Sequence, residues 1–416
     1  MPFLRRSRAV LAALVLATAL AAPAAAQDQR DEQFYYPGDF NWRFLKSYPE
    51  GARLFNAFDY GHAVLYERLY TTEGDATRRS LEREYRYLTT DLLIRPPRFA
   101  IAEEAVMPSY AKLAWRAKQM FEWTHILHRQ IYDVYSDDRL TRARQDSLIE
   151  RLTDYYLSRK EYAFLPVPKS MELMDGQYYS QAFRKTYPKF NGLIWAYHWL
   201  QVGLYEPFIE ATAPGQTKAA VQATLGRFWS MLESPPDRFP KMMPMASGVA
   251  PRFGSVHPRA AVIFDNLHMM HDIISDILQN DTVPADKKRE VIYAALDEFQ
   301  DSTRNVMTMD MWRNMAEHMG GLAAMGGPAT GPIEPVEAES GGVAGGHMAA
   351  MMELHMRMMQ DSVVRRRVMA DSGMRRMMQE MISDMPPEHR RQMQDMMRAT
   401  PDRPETAPAD TSGHGH

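Results

Sequence analysis

Histidine and aspartate are concentrated in residues 257–278, HPRAAVIFDNLHMMHDIISDIL. At about 100° per residue, Asp265, His268, His271 and Asp272 fall on one side of a helix, and isoleucine, valine and methionine take the other. Imidazole and carboxylate are the groups that bind zinc, copper and iron in proteins. The segment therefore predicts either an amphipathic helix with a solvated polar face or one wall of a metal or haem site.

Acidic residues stand three positions before a histidine at several places in the chain. On a helix this spacing sets a carboxylate and an imidazole one turn apart, as in the di-iron sites of helical bundles. The pairs are Asp59 and His62, Glu122 and His125, and Asp265 and His268. Di-iron bundles use two further glutamates, for which Glu67 and Glu206 are the candidates. Acidic residues are also common enough for such pairs to arise by chance.

Residues 188–210 are apolar on nearly every side, which is typical of a buried central helix. His198 stands out there, because a buried imidazole needs a hydrogen-bond partner or a metal. His198 and His268 each lie ten residues after a proline that can begin a helix, so both are expected about 15 Å from a helix start. The candidate metal ligands in this part of the chain are His62, Glu122, His125, His128, His198, Asp265, His268, His271 and Asp272, and the candidate haem ligands are His62, His128, His198 and His268.

Three interpretations of these histidines are open. They are core residues satisfied by neighbouring aspartates and tyrosines, ligands of copper, iron or zinc, or axial ligands of a non-covalent haem b. The chain has no cysteine, which excludes c-type haem, iron–sulfur clusters and disulfides. It also has no G-x-S-x-G or Walker A motif, which disfavours hydrolase and nucleotide-binding functions. The sequence indicates no particular reaction and no catalytic residue.

The predicted fold class is all-α, a bundle of many helices. Helical periodicity runs through most of residues 50–300, and no alternating strand pattern with hairpin turns interrupts it. Prolines near several helix starts favour initiation, because the first turn does not need their missing N–H. The expected helices are 50–70, 76–92, 108–135, 141–158, 188–210, 216–233, 257–279 and 285–300.

The N-terminus has the pattern of a secretory signal peptide. Arg5, Arg6 and Arg8 precede an apolar stretch at 9–22, and small residues at 24–26 form a cleavage signal. We therefore expect a periplasmic or secreted protein whose mature chain has no transmembrane segment. The net charge of −3 gives no reason to expect nucleic acid as a partner. The predicted order is a signal peptide (1–26), a helical domain (27–318), a Gly/Pro/Ala linker (319–346), a Met-rich helical segment (347–398) and a disordered tail (399–416).

Methionine replaces the usual aliphatic residues near the C-terminus. Fifteen of the 32 methionines lie in residues 347–398, which hold only five leucine, isoleucine or valine residues. Met348, Met352, His355 and Met359 follow one helical face. Thioethers and imidazole bind Cu(I), whereas a flexible methionine face also suits a partner protein.

The C-terminal region, 347–416, resembles the Met/His-rich tails of exported copper-handling proteins. The likeness is one of composition, and His414 and His416 at the end of the chain add to it. The resemblance implies that this region captures Cu(I). The predicted function is accordingly exported metal binding, with copper binding, buffering or delivery first. The alternatives are a helical-bundle metalloenzyme or haem-b redox protein, and a non-catalytic scaffold that binds a partner protein.

Overall fold

The computed structural model describes residues 42–211 and 213–331. All regular elements of this part are helices, and its one β-type pairing is an isolated bridge between Lys169 and Val306. The prediction of an all-α, multi-helix domain is therefore confirmed. Several predicted features lie outside the described residues: the signal peptide, the linker beyond residue 331, the Met-rich segment with Met348, Met352, His355 and Met359, and the tail.

The helices are numbered in chain order. The first half contains α1 (Trp42–Ser47), α2 (Pro49–Thr71), α3 (Gly74–Tyr87) with a π-helical continuation at Leu88–Leu92, α4 (Glu103–Val106), α5 (Pro108–Leu113), α6 (Trp115–Tyr135), α7 (Arg142–Ser158), α8 (Met171–Asp175) and α9 (Ala182–Thr186). The second half contains α10 (Pro188–Gly203), α11 (Tyr205–Glu210), α12 (Pro214–Met231), α13 (Ala246–Val249), α14 (Pro251–Val256), α15 (Pro258–Gln279), α16 (Lys288–Phe299), α17 (Met309–Arg313), α18 (Met315–His318) and a 3-10 turn at Leu322–Met325.

Each predicted helix is present, and two of them are divided. The expected helix at 108–135 is interrupted at Ala114, and the one at 188–210 is interrupted at Leu204. Pro207 explains the second break, because it has no N–H to bond the carbonyl of Gly203 and its ring crowds that turn. The short helices between the long ones are not predicted, since four to six residues carry too little periodicity to detect.

Helix α15 lies at the centre of the domain. It packs against α2, α6, α9, α10, α14 and α16, and every residue from Ala260 to Leu278 is buried. The solvated polar face that the sequence allowed for this helix is therefore absent. Helix α10 is buried from Phe190 to Gly203, as its all-round apolar pattern predicts. The polar side chains of both helices must find their partners inside the protein.

Buried carboxylates on the long helices bind the first N–H groups of the short helices. Asp133 on α6 accepts from the backbone N–H groups of Trp42 and Phe44 at 3.1 and 3.0 Å, and so holds the start of α1. Asp276 on α15 accepts from two backbone N–H groups at the start of α9, at 2.7 and 2.8 Å. These N–H groups have no partner within their own helix, and the helix dipole favours negative charge there.

The two glutamates considered as di-iron ligands have the same structural role. Glu67 accepts from the backbone N–H groups of Ser109 and Tyr110 at 3.0 and 3.1 Å, at the start of α5. Glu206 accepts from two N–H groups at the start of α14, at distances between 3.1 and 3.2 Å. One oxygen of Glu67 and both oxygens of Glu206 accept from the backbone. Neither glutamate lies in a group with a histidine that could hold a metal ion among the described residues, so neither completes a di-iron arrangement with the E-x-x-H pairs.

The glycine-rich residues 319–331, predicted as the start of a flexible linker, pack onto the domain instead. The Trp199 indole donates to the carbonyl of Gly327 at 2.8 Å, and Met325 is fully buried. Gly326 has φ +94°, and a Cβ there would meet Trp199 Cδ1 and Pro240 Cγ at 3.1 Å. The glycines therefore permit sharp turns and close packing rather than free movement.

Gly326→Ala should destabilise the protein more than Gly327→Ala. Both residues have positive φ, which costs alanine about 1–2 kcal/mol, but a Cβ on Gly327 meets nothing within 4 Å. Overpacking at Gly326 should add about 1–3 kcal/mol. Urea unfolding of the two variants measures the difference. An equal loss of unfolding free energy in the two variants would mean that the side chains around Gly326 move to accommodate the added Cβ at no cost in stability.

Candidate metal centre

Six histidines lie together at the centre of the described domain. They come from four helices, and their relative exposure is between 0 % and 3 %. Ring centroids of neighbouring members are 4.1 to 6.2 Å apart. We call these residues the histidine cluster: His62 on α2, His125 and His128 on α6, His198 on α10, and His268 and His271 on α15.

Three members of the cluster bring ring nitrogens close together. In His62, His198 and His271, which we call the three-histidine group, one nitrogen of each ring lies within 4.8 Å of the other two. Nε2 of His198 is 2.9 Å from Nε2 of His62 and 3.2 Å from Nδ1 of His271. Three imidazole nitrogens therefore meet from three different helices.

Hydrogen bonding fixes part of the protonation in this group. Nδ1 of His62 lies 2.9 Å from the carbonyl oxygen of Phe58, one turn earlier on α2. A carbonyl oxygen only accepts, so Nδ1 carries the proton and the neutral ring presents a lone pair at Nε2. Nδ1 of His198 and Nε2 of His271 have no hydrogen-bond partner among the described residues.

Asp59, Glu103 and His125 form a second set, which we call the carboxylate group. One atom of each lies within 4.8 Å of the others, and all three side chains are buried. Nδ1 of His125 is 3.5 Å from Oδ1 of Asp59 and 3.6 Å from Oε1 of Glu103. Arg129 binds the other oxygen of Asp59, Oδ2. Burial raises the pKa of Glu103, and His125 beside it opposes that rise.

Burial lowers the pKa of five histidines of the cluster. It brings the pKa of His62 down to about 4, because desolvation disfavours the imidazolium and His125 lies nearby. Desolvation, followed by neighbouring histidines, also holds the pKa well below the usual range in His128, His198, His268 and His271. These five rings are neutral at pH 7, which is the state that binds metals.

The other cluster members stack beside the three-histidine group. The ring of His268 is parallel to that of His198, with centroids 4.1 Å apart. Nδ1 of His128 lies 2.7 Å from the hydroxyl of Tyr205. Within the described part of the chain, neither nitrogen of His268, nor Nε2 of His128, nor either amide atom of Gln201 has a hydrogen-bond partner. Buried polar atoms without a partner among the described residues are therefore also present on side chains next to the three converging nitrogens.

Two acidic candidates from the sequence lie outside both groups. Glu122 is partly exposed on α6 and pairs with Lys118, one turn before it. Asp272 on α15 accepts from the indole N–H of Trp195 at 2.8 Å. The E-x-x-H spacing of Glu122 and His125 therefore does not bring the two side chains to one site, because His125 turns toward Asp59 and Glu103 instead.

Asp265 also lies outside both groups. One of its oxygens accepts from the backbone N–H of Ala246, and the other accepts from the indole N–H of Trp312, each at 2.8 Å. These bonds fix the start of α13 and the position of α17 against α15. Its partner in the predicted pair, His268, remains in the histidine cluster without it.

Glu103 is the member of the site that the sequence pattern does not indicate. It begins α4, a four-residue helix that follows the loop containing Pro96 and Pro97. Such a short element has no detectable periodicity. Asp59 is indicated only by its spacing to His62, and the structure places these two residues in different groups.

No protein-family model matches the chain, and comparisons with curated proteins and with solved structures return no match. Among the described residues, no helix combines the length and apolar character needed to cross a bilayer. The function is therefore inferred from the geometry of the site.

Asp265→Asn should lower stability and leave metal content unchanged. The asparagine NH2 would face one of the two buried N–H donors, at a cost of about 1–3 kcal/mol. Urea unfolding measures the loss, and elemental analysis of the purified protein gives the metal content. Reduced metal content with an unchanged unfolding midpoint would instead identify Asp265 as a ligand.

Proposed function

We propose that this protein binds a transition-metal ion through the three-histidine group. The observation that carries the proposal is the convergence of three buried imidazole nitrogens, from His62, His198 and His271. Imidazole suits zinc, copper, iron and nickel. Three protein ligands also leave a coordination position for water or a substrate, as in catalytic zinc sites.

The nitrogen spacing supports a small ion. Two nitrogens bound to one metal at about 2.0–2.1 Å are about 2.9 Å apart at a right angle and about 3.4 Å apart in a tetrahedron. The separations from His198 Nε2, 2.9 Å to His62 and 3.2 Å to His271, fall in this range. The axial nitrogens of a bis-histidine haem lie on opposite faces of a porphyrin. Neighbouring nitrogens this close therefore favour an ion over haem b.

A purely structural role leaves many polar atoms unsatisfied. If His198 donates its Nε2 proton to His62, then within the described residues Nδ1 of His198 and Nε2 of His271 lack partners. Both nitrogens of His268 and of His125 add to this deficit. Each such group costs about 1–3 kcal/mol. A structural metal ion contributes about 10–16 kcal/mol of binding free energy, which offsets such a deficit.

The metal that we propose first is copper, in an exported protein. The support comes from the sequence: a signal-peptide pattern, no cysteine and the Met-rich segment at 347–398. Cu(II) also has the highest affinity of the divalent first-row metals for nitrogen ligands. A helical metalloenzyme is the second candidate, because the three-ligand site keeps an open position.

His198→Ala should strongly weaken metal binding at the three-histidine group. Nε2 of His198 lies 2.9 and 3.2 Å from a nitrogen of the other two members. Removal of His198 leaves two imidazoles, so the Kd should rise by about 100-fold or more. The full-length protein, stripped with a chelator, is titrated with Co(II), whose visible d–d absorption reports coordination by protein ligands.

His257→Gln is the matched control. His257 is also buried, but it is bonded to Glu150 and lies 3.3 Å from Asp146, outside the histidine cluster. This variant should bind Co(II) as the unsubstituted protein does. Undiminished Co(II) binding by a folded His198→Ala protein would refute the three-histidine site.

Joint replacement of Met348, Met352 and Met359 by leucine should lower the amount of Cu(I) bound per chain. Leucine keeps a similar helix propensity and apolar character but removes the thioether ligand. Competition with a chromophoric Cu(I) chelator measures the stoichiometry, and Co(II) binding should stay constant. Replacement of Met311, which is 44 % exposed on α17, by leucine is the control. An unaltered Cu(I) stoichiometry in the triple variant would show that these three methionines do not bind Cu(I).

A further inference from the structure

The carboxylate group lies directly beside the three-histidine group. Asp59 is one turn before His62 on α2. The ring of His125 is 5.7 Å from that of His271, which is itself 4.3 Å from the ring of His62. The two groups are therefore neighbouring parts of one buried polar region.

We infer that Asp59, Glu103 and His125 bind a second, divalent cation, which makes the two groups a dinuclear centre. The second site itself is independent of the proposed function, but the dinuclear arrangement rests on it. The first site offers three neutral imidazoles, whereas the second offers two carboxylates and one imidazole. Carboxylate suits harder ions such as Mn(II), and imidazole suits copper and zinc. The two sites of the centre therefore favour different metals.

The surroundings of His125 are a second indication of a bound cation, independent of the two carboxylates. Its relative exposure is 2 %, and neither ring nitrogen has a hydrogen-bond partner in residues 42–211 and 213–331. The 3.5 and 3.6 Å separations from Asp59 and Glu103 are too long for hydrogen bonds. Ligand atoms bound at about 2.0–2.2 Å in a tetrahedron are about 3.3–3.6 Å apart. The same separations therefore suit atoms that share a cation.

Arg129 orients Asp59 for this role. It binds Oδ2 of Asp59, while Oδ1, which faces His125, has no hydrogen-bond partner among the described residues. Arg129 also donates to Asn56 at 3.3 Å and lies over the ring of Phe55 at 4.8 Å, so α2 holds its guanidinium in place. An outer partner that fixes a ligand carboxylate is a common feature of metal sites.

Glu103 is a buried carboxyl group that no lysine or arginine pairs with in the ion pairs of the described residues. Its relative exposure is 6 %, and its one ion-pair contact within the described residues is with His125. A carboxylate buried without a partner is costly, and a bound cation removes that cost. The adjacent Glu104 is exposed and pairs with Lys118 at 2.9 Å. Glu104 is therefore a control on the same helix.

Mn(II) titration of the metal-free, full-length protein tests the second site. The EPR signal of free Mn(II) measures binding, and we expect Glu103→Gln to weaken Mn(II) affinity about 100-fold or more. Glu104→Gln should bind Mn(II) as the unsubstituted protein does. Glu103→Asp, which keeps the charge but shortens the side chain, should give an intermediate affinity. Thermal unfolding followed by circular dichroism establishes that each variant is folded.

The proposals for the two sites can be refuted independently of each other. Loss of Mn(II) in Glu103→Gln, with Co(II) binding retained, supports the second site. Equal Mn(II) affinity in Glu103→Gln and Glu104→Gln, or no Mn(II) binding by the unsubstituted protein, overturns it. If His198→Ala leaves Co(II) binding unchanged while Glu103→Gln loses Mn(II), the proposed function fails and the second site stands.

Magnetic interaction tests whether the two sites form one centre. Co(II) in the three-histidine group should broaden the EPR signal of bound Mn(II), because two paramagnetic ions a few ångströms apart relax each other. Zn(II), which is diamagnetic, should leave the signal sharp in the same protein. Equal line widths with Co(II) and Zn(II) would overturn the dinuclear arrangement.

Discussion

The fold depends on buried carboxylates that bind backbone N–H groups. Asp133 holds α1, Glu67 holds α5, and Asp276 holds α9, each from a long helix to the first turn of a short one. Asp265 on α15 does the same for α13, and Glu206, on the short helix α11, binds the first turn of α14. The opening N–H groups of a helix have no internal acceptor and lie at its positive end, so a carboxylate satisfies both needs. These contacts position the short helices around α10 and α15.

Asp59 and Glu103 depart from this pattern. No backbone N–H of the described residues binds them. Arg129 binds one oxygen of Asp59, and His125 lies beyond hydrogen-bond distance of both residues. These seven acids thus divide into five that are satisfied by helix starts and two, Asp59 and Glu103, that face the imidazole of His125, which has no hydrogen-bond partner among the described residues. That division separates structural from candidate functional carboxylates more sharply than sequence spacing does, because Glu122-x-x-His125 and Asp265-x-x-His268 both mark pairs that the fold separates.

The sequence predicts the long helices well, and the site only in part. Helices α2 and α15 begin and end within two residues of prediction because their apolar residues repeat at helical spacing. The same periodicity gives the side of a helix on which a histidine lies, but not the helix that faces it. His198 meets His62 across 136 residues and His271 across 73. Glu103 lies on a helix too short to leave a pattern. The sequence allowed a solvated face for α15 because the residues that bind its aspartates lie far away along the chain.

Burial of the centre has a kinetic consequence. The ring nitrogens lie on side chains between 0 % and 3 % exposed, on helices packed from all sides. An ion held there can leave only when neighbouring helices part, so its rate of exchange with external chelators is set by opening fluctuations of the protein and not by affinity alone. The same barrier acts on uptake: a chain that folds in the presence of metal can enclose it at once, whereas a folded, metal-free chain must first open. Which ion such a protein carries then depends partly on where, and beside which metals, it folds.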